Sequence, residues 1–290
     1  MLSFVGLIIQ LGIFSLFSEG NNAIVFDKII FYFLLYAVYI FIITGLSVLV
    51  SSWLKQSNTS LLLQIASWVI LMIVLPKIMA SAGAKLYPME HQYQFKKALR
   101  EDRDKGINGH NPDDERSKAF QDSLLKHYKV DTLADLPVNA DGLIMQADEE
   151  YANMVYDKHF TRIRNTITKQ NSISKYASLV NPFLAIRNAS MAVSQSDYDS
   201  QLNLFADAEL YRRYLIKELN TKMAYGGSKT DDWDWKVDDS YWQTVKDFDY
   251  PKASLYKSIH HCLLEISALA IWIVVIILSV FITSKKINVL

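Results

Sequence analysis

Seven polar side chains sit in stretches that are otherwise apolar. Thr44, Ser47, Ser51, Ser52, Gln64 and Ser67 punctuate two hydrophobic runs, and Glu265 lies about one turn inside a third. Hydroxyl and amide groups in such runs either hydrogen-bond between helices or line a path for a polar solute, because hydrocarbon offers them no other partner. These seven form the candidate translocation or helix-packing face. An ionisable group at membrane depth is costly and often functional. At one turn in, Glu265 is also near enough to the interface to reach water as a structural anchor. A second group is aromatic. Trp233, Trp235 and Trp242 lie in or beside the stretch DDWDWKVDD (231–239). They form either a contact patch for a partner or apolar substrate, or the core of their own domain. Asp231, Asp232, Asp234, Asp238 and Asp239 offer oxygen ligands of the kind calcium takes, but without the spacing and glycine of an EF-hand, so they read as a solvated loop.

The usual catalytic signatures are missing. No GxxxxGK[ST] occurs, so this chain has no P-loop with which to hydrolyse ATP. GxSxG and HExxH are also missing. Of the six histidines only His260 and His261 are neighbours. Adjacent residues on a helix diverge by about 100°, which suits a shared metal poorly. Cys262, the single cysteine, stands at the edge of the last apolar run, so the polar part has no disulfide, thiolate site or cysteine nucleophile. The residues therefore assign no catalytic, cofactor or metal site. Lys+Arg 30 balance Asp+Glu 30, which leaves no basic field for nucleic acid.

The elements that must hold these groups follow from the hydropathy pattern. Of 290 residues, 51% are hydrophobic, and they concentrate in runs 1–17, 29–54, 61–76 and 262–283. Each approaches the ~20 apolar residues that cross a bilayer. The first run has no Lys or Arg and no small-residue cleavage site after it, so it reads as a span and not a signal peptide. The expected fold is an all-α membrane protein with four transmembrane helices and a mostly helical soluble domain inserted before the last. Its parts are a membrane region (1–82), a polar domain (83–258), and a last helix with its tail (259–290). Turns are expected at 18–28 and 55–60, with Pro76 and Lys77 marking the exit of the third span.

Inside the polar domain, residues 91–105 read as a charged helix stopped by Gly106 and Gly109. Asn111-Pro112 reads as a cap with proline at the first helical position, opening a helix to about Tyr128. Ile144, Ala147, Tyr151, Val155, Ile163 and Ile167 recur mostly three or four apart and predict a long helix to about Ser178. Asn181-Pro182 repeats the cap signal. Ser196 with Asp199 resembles a capping box opening a helix over 197–224, and Gly226-Gly227 stops it. A short helix is expected within 238–248. Lys55, Lys285 and Lys286 in short flanks favour the cytoplasm, with Lys28, Lys77 and Lys85 pulling the other way. On balance both termini are expected inside and 83–258 outside.

The order of these parts resembles a known family. SVLVSSWLKQSNTS, followed at once by LLLQIASWVILMIVLP, resembles the later spans of ABC-2 type bacterial permeases. The polar domain resembles the DUF3526-type extracellular domain of one branch of them. The resemblance rests on the Gly109-His110-Asn111-Pro112 turn, Asn181-Pro182 before a helix, and Phe205 through Glu209 to Tyr211-Arg212. It implies an export-type permease subunit that pairs with a second permease subunit and with separate ATP-binding subunits, and needs no cofactor of its own. Such permeases usually have six spans. The chain thus resembles a C-terminal portion, and the loop 55–60 is the only internal cytoplasmic candidate for touching an ATPase. The other class of reading is a membrane-anchored extracytoplasmic binding or assembly protein. Its spans would need only lipid-facing residues.

Overall fold

The computed structural model describes residue 13 and residues 22–109, 111 and 114–286. The expected span 1–17 lies outside the described residues apart from position 13, as do His110 and Pro112 of the expected turn. Among the described residues every regular element is helical. Three helical stretches are long and apolar enough to cross a membrane: Phe26–Trp53, Ser57–Leu86 and Leu263–Lys285. The first has 28 residues, or about 42 Å at the α-helical rise of about 1.5 Å per residue.

Two boundaries differ from the sequence reading. Helix α1 (Asn22–Trp53) begins inside the expected 18–28 turn, and its link to α2 (Ser57–Val69) is only residues 54–56. The third apolar stretch does not end at Pro76. After α2 comes one π-helical turn, Ile70–Val74, and then α3 (Leu75–Leu86) carries the helix on. Proline lacks an N–H, and its ring collides with the carbonyl four residues back in an α-helix. The π turn widens the backbone just before it: Leu75 N–H bonds back to Ile70 O, five residues away. In that register the next donor, due to Leu71 O, would be residue 76, which is the proline.

Two compact units emerge. The first comprises Met1–Pro88, Thr166–Gln201 and Pro251–Leu290; the second, Met89–Asn165 and Leu202–Tyr250. Residues 166–201, expected in the polar domain, thus cluster with the apolar helices. The reason is α7 (Pro182–Val193), whose Leu184, Ala185, Ile186, Ala189, Ala192 and Val193 are all buried. It packs with Leu35, Ile42 and Leu49 of α1 and with Ala268, Leu269 and Ile276 of α11 (Leu263–Lys286). The α1 residues recur every seven positions and so form one stripe. Three alanines on α7 let the backbones approach closely. The outward faces stay apolar, with Phe33, Leu34, Phe41, Leu62, Val274 and Phe281 exposed.

The second unit is built on most of α6 (Ala140–Ala177) and α8 (Tyr198–Tyr225), with α4 (Gln92–Arg103), α5 (Glu115–Tyr128) and the single turn α9 (Asp239–Trp242). The long period-four run does form one helix. Asn139 opens it, accepting from Asp141 N–H (2.8 Å) while its amide donates to Ser228 Oγ (2.9 Å) and Lys229 O (2.7 Å). Gly142 is where α6 meets α8: a Cβ there would lie 2.7 Å from Ala224 N and 2.8 Å from Asn220 O. Asp114, not Asn111, caps α5, accepting from the N–H groups of Arg116 and Ser117. Asp197, not Ser196 with Asp199, caps α8 by accepting from Ser200 N–H. Asp199 is drawn off to Lys175 and His261. Gly227, at φ +96°, takes the chain out of α8 in the left-handed region, as expected of a C-terminal glycine.

Candidate functional site

The polar residues of the apolar helices converge in part. Gln64 is the hub. Its amide donates to Ser51 Oγ (3.1 Å), Ser60 Oγ (3.2 Å) and, more weakly, Ser47 O (3.5 Å), and the two hydroxyls lie 3.2 Å apart. The amide thus ties α1 to α2 close to their turn. Ser60 is buried and absent from the sequence expectation; it stands four residues before Gln64, on the same helix face, and that spacing was the available signal. Ser52 does not join. Its hydroxyl bonds back to Leu49 O (2.8 Å) in its own helix. Thr44 is exposed.

Beside this cluster lies a cavity of about 200 Å³. Tyr39, Ser47, Gln64, Ser67, Trp68, Leu71, Met72, Pro182, Phe183 and Trp272 are among its walls. It is smaller than the roughly 300–1,000 Å³ of drug-sized sites, so as it stands it fits a short apolar segment or a few waters. Two wall residues carry buried polar atoms with no hydrogen-bond partner, Tyr39 Oη and Trp272 Nε1. Nothing in the sequence singled these two out, because both read as ordinary members of an apolar run.

The π turn forms one wall, and Asn181 holds it. Its Nδ2 donates to Leu71 O (2.8 Å), the carbonyl that Pro76 cannot serve, while its Oδ1 caps α7 at Phe183 N (3.0 Å) and Leu184 N (3.4 Å). The expected cap at Asn181-Pro182 therefore forms, and the same amide also fixes the break in the third apolar helix.

Glu265 is not part of the cavity wall. The expectation that it reaches water fails, since it is 2% exposed and neither carboxylate oxygen has a hydrogen-bond partner. Packing of α11 against α1 and α7 closes over it. The charged groups around it are Lys175, His261 and Asp197. His261 Nε2 donates to Asp197 Oδ2 (2.7 Å) and lies 3.5 Å from Asp199 Oδ2, which also accepts from Lys175 Nζ (2.8 Å). The bond to Asp197 raises the His261 imidazole above the usual histidine range, against the pull of burial. Burial opposes the Asp197 charge, but hydrogen bonds from His261 and Ser200 outweigh it and lower that carboxyl. His260 turns away and sits against the Tyr256 ring, so the two histidines do not converge.

In the second unit the three tryptophans do not form a core. Trp233 is 67% and Trp242 53% exposed, and only Trp235 is half-buried. The Phe205–Arg212 stretch has a structural role. Arg212 spans from Glu209 (2.9 Å) to Glu149 (3.1 Å) and Asn153 (2.9 Å), and Arg213 joins Glu209 to Asp157 (2.6 Å). Its hydrogen bond from Arg212 holds Glu209 below the ordinary carboxylate range.

The fold and these contacts define a helical protein with three helices fit to cross a membrane and a helical unit rich in ion pairs. Residues 92–251 match the Domain of unknown function (DUF3526), more than half of the chain, and the protein belongs to that family. Neither a curated protein nor a solved structure matches it.

Proposed function

We propose that this chain is a membrane-spanning permease subunit of an ABC-2 type transporter of the export class. It crosses a bacterial inner membrane four times, with both termini in the cytoplasm and the polar segment 83–258 outside, apart from the stretch around α7 that packs among the apolar helices. A second permease subunit completes the path, and separate ATP-binding subunits supply the energy that a chain without a P-loop cannot. The observation that carries this reading is the Gln64–Ser51–Ser60 cluster beside a cavity walled by Ser47, Gln64 and Ser67. A pure anchor needs apolar surface toward lipid and gains nothing from an amide hub between its helices. Affinity purification of the tagged chain from gently solubilised native membranes tests it. A P-loop ATPase in stoichiometric amount supports the reading.

One observation favours a second reading, a membrane-anchored binding or assembly protein. Trp233 and Trp242 are large, apolar and exposed, as contact residues are. Under that reading the same purification yields envelope proteins and no ATPase, and replacing both tryptophans by alanine abolishes their recovery.

A further inference from the structure

The cavity does not use the ligating groups gathered where α10 (Leu255–His261) gives way to α11. Asp197, Asp199 and His261 each offer one ligand atom, and these three atoms lie within 4.8 Å of one another. Their side chains are 10%, 23% and 34% exposed, so the group is recessed but open on one side. Glu265 stands four residues beyond His261, outside that group of three, and borders the same charges. It is the buried group whose two oxygens have no partner.

Three carboxylates share this place with Lys175 and one imidazole. Protonating Glu265 would remove its charge and still leave its oxygens without partners, which is itself unfavourable for a buried polar group. A cation would give those oxygens a partner. The donor set decides its class. Imidazole with carboxylates suits zinc and its transition-metal neighbours, whereas calcium and magnesium take oxygen alone. A tetrahedral ion with bonds of about 2.0–2.1 Å spaces its ligand atoms about 3.3 Å apart. His261 Nε2 to Asp199 Oδ2 is already 3.5 Å, while His261 Nε2 to Asp197 Oδ2, at 2.7 Å, would need to open modestly.

We infer that Asp197, Asp199 and His261, with Glu265 drawn in from beside them, form a binding site for a divalent transition-metal ion of the zinc class, beside the start of the last apolar helix. On loading, Lys175 releases Asp199 and the imidazole proton leaves. The ion then fastens the turn at the start of α8 to the α10–α11 junction. This inference does not depend on transport.

The test uses the full chain in detergent or nanodiscs, stripped with EDTA and titrated with zinc chloride by calorimetry. One zinc ion per chain is expected, with a rise in Tm that equal magnesium chloride does not produce. Cobalt chloride should give the visible absorption of a four-coordinate site. His261→Gln and Glu265→Gln should each weaken zinc binding tenfold or more, while Cys262→Ser leaves it unchanged. Absence of saturable zinc binding to the folded wild-type chain would overturn the inference. So would binding that survives both His261→Gln and Glu265→Gln, or that is lost in Cys262→Ser.

Discussion

Asn181 offers the most discriminating perturbation, because its two side-chain atoms do separate jobs. Oδ1 caps α7, and Nδ2 serves the Leu71 carbonyl that Pro76 leaves without a backbone donor. Aspartate is as good a cap as asparagine, so Asn181→Asp keeps the first job and removes the second. It leaves a buried carbonyl unpaired and sets a carboxylate against it, at a cost of about 1–3 kcal/mol. Asn181→Ala loses both, adding roughly 0.5–2 kcal/mol for the cap. The causal link to Pro76 can be tested by a double-mutant cycle. Pro76→Ala restores an N–H, so whether that turn stays π or reverts to α, Leu71 O gains a backbone partner. In that background Asn181→Asp should cost about 1 kcal/mol less, or better. The assay is denaturant or thermal unfolding of the purified chain in a fixed detergent, at a pH well above the carboxylate range. If Asn181→Asp is as stable as wild type, or costs the same with and without Pro76, the amide does not hold the π turn and the reasoning fails.

Other expectations follow from the same contacts. Gln64→Leu leaves Ser51 and Ser60 within reach of each other but removes the two shorter hydrogen bonds of the amide, so stability should fall by only about 1 kcal/mol, from an average of about 0.6 for each such membrane hydrogen bond. Transport should still be impaired if the proposed function holds, and unchanged transport would reduce the cluster to packing. Gly142→Ala drives a methyl into the backbone at Ala224 and should destabilise by about 1–3 kcal/mol or more in the same unfolding assay. Glu209 has a folded-state pKa below its ordinary 4.5, so its contribution is present above that pH and is lost as pH falls through the folded value. Hydrogen-exchange protection factors over 149–157 and 205–213, corrected for the intrinsic rate, should therefore fall on acidification below 4.5, and Glu209→Gln should blunt that response.

The sequence showed some of this architecture directly and could not have shown the rest. Helical periodicity announced α6, because its core positions repeat along one continuous element. Asn181-Pro182 announced the start of α7, because capping is local chemistry. The environment of α7 was not announced. Twelve residues are too few to read as a span, and the helix follows a long polar stretch. Only its contacts with α1 and α11 explain why so many of its side chains are apolar or small. Pro76 misled for a related reason. Proline normally ends a helix, and the compensation lies on Asn181, 110 residues from the Leu71 carbonyl that it serves. Asp199 read as a local capping residue because its partners, Lys175 and His261, lie 24 and 62 positions distant.

These long-range contacts bear on how the cavity could work. Its wall contains the π turn, the N-terminus of α7 and the Gln64 hub, which are the places where the apolar helices depart from uniform packing. A continuous α-helix changes shape with difficulty, whereas a π turn beside a proline has a nearby alternative register, and such turns recur at functional sites. Here one side-chain amide selects the register. A ligand or partner that moved α7 would withdraw Nδ2 from Leu71 and unfasten the third apolar helix at its midpoint, enlarging a cavity now too small for a sizeable solute. If the proposed function holds and that coupling operates, Asn181→Asp should change transport as well as stability, and Pro76→Ala should restore both together. Recovery of stability without recovery of transport would mean that the π turn, and not the bond that holds it, is what transport requires.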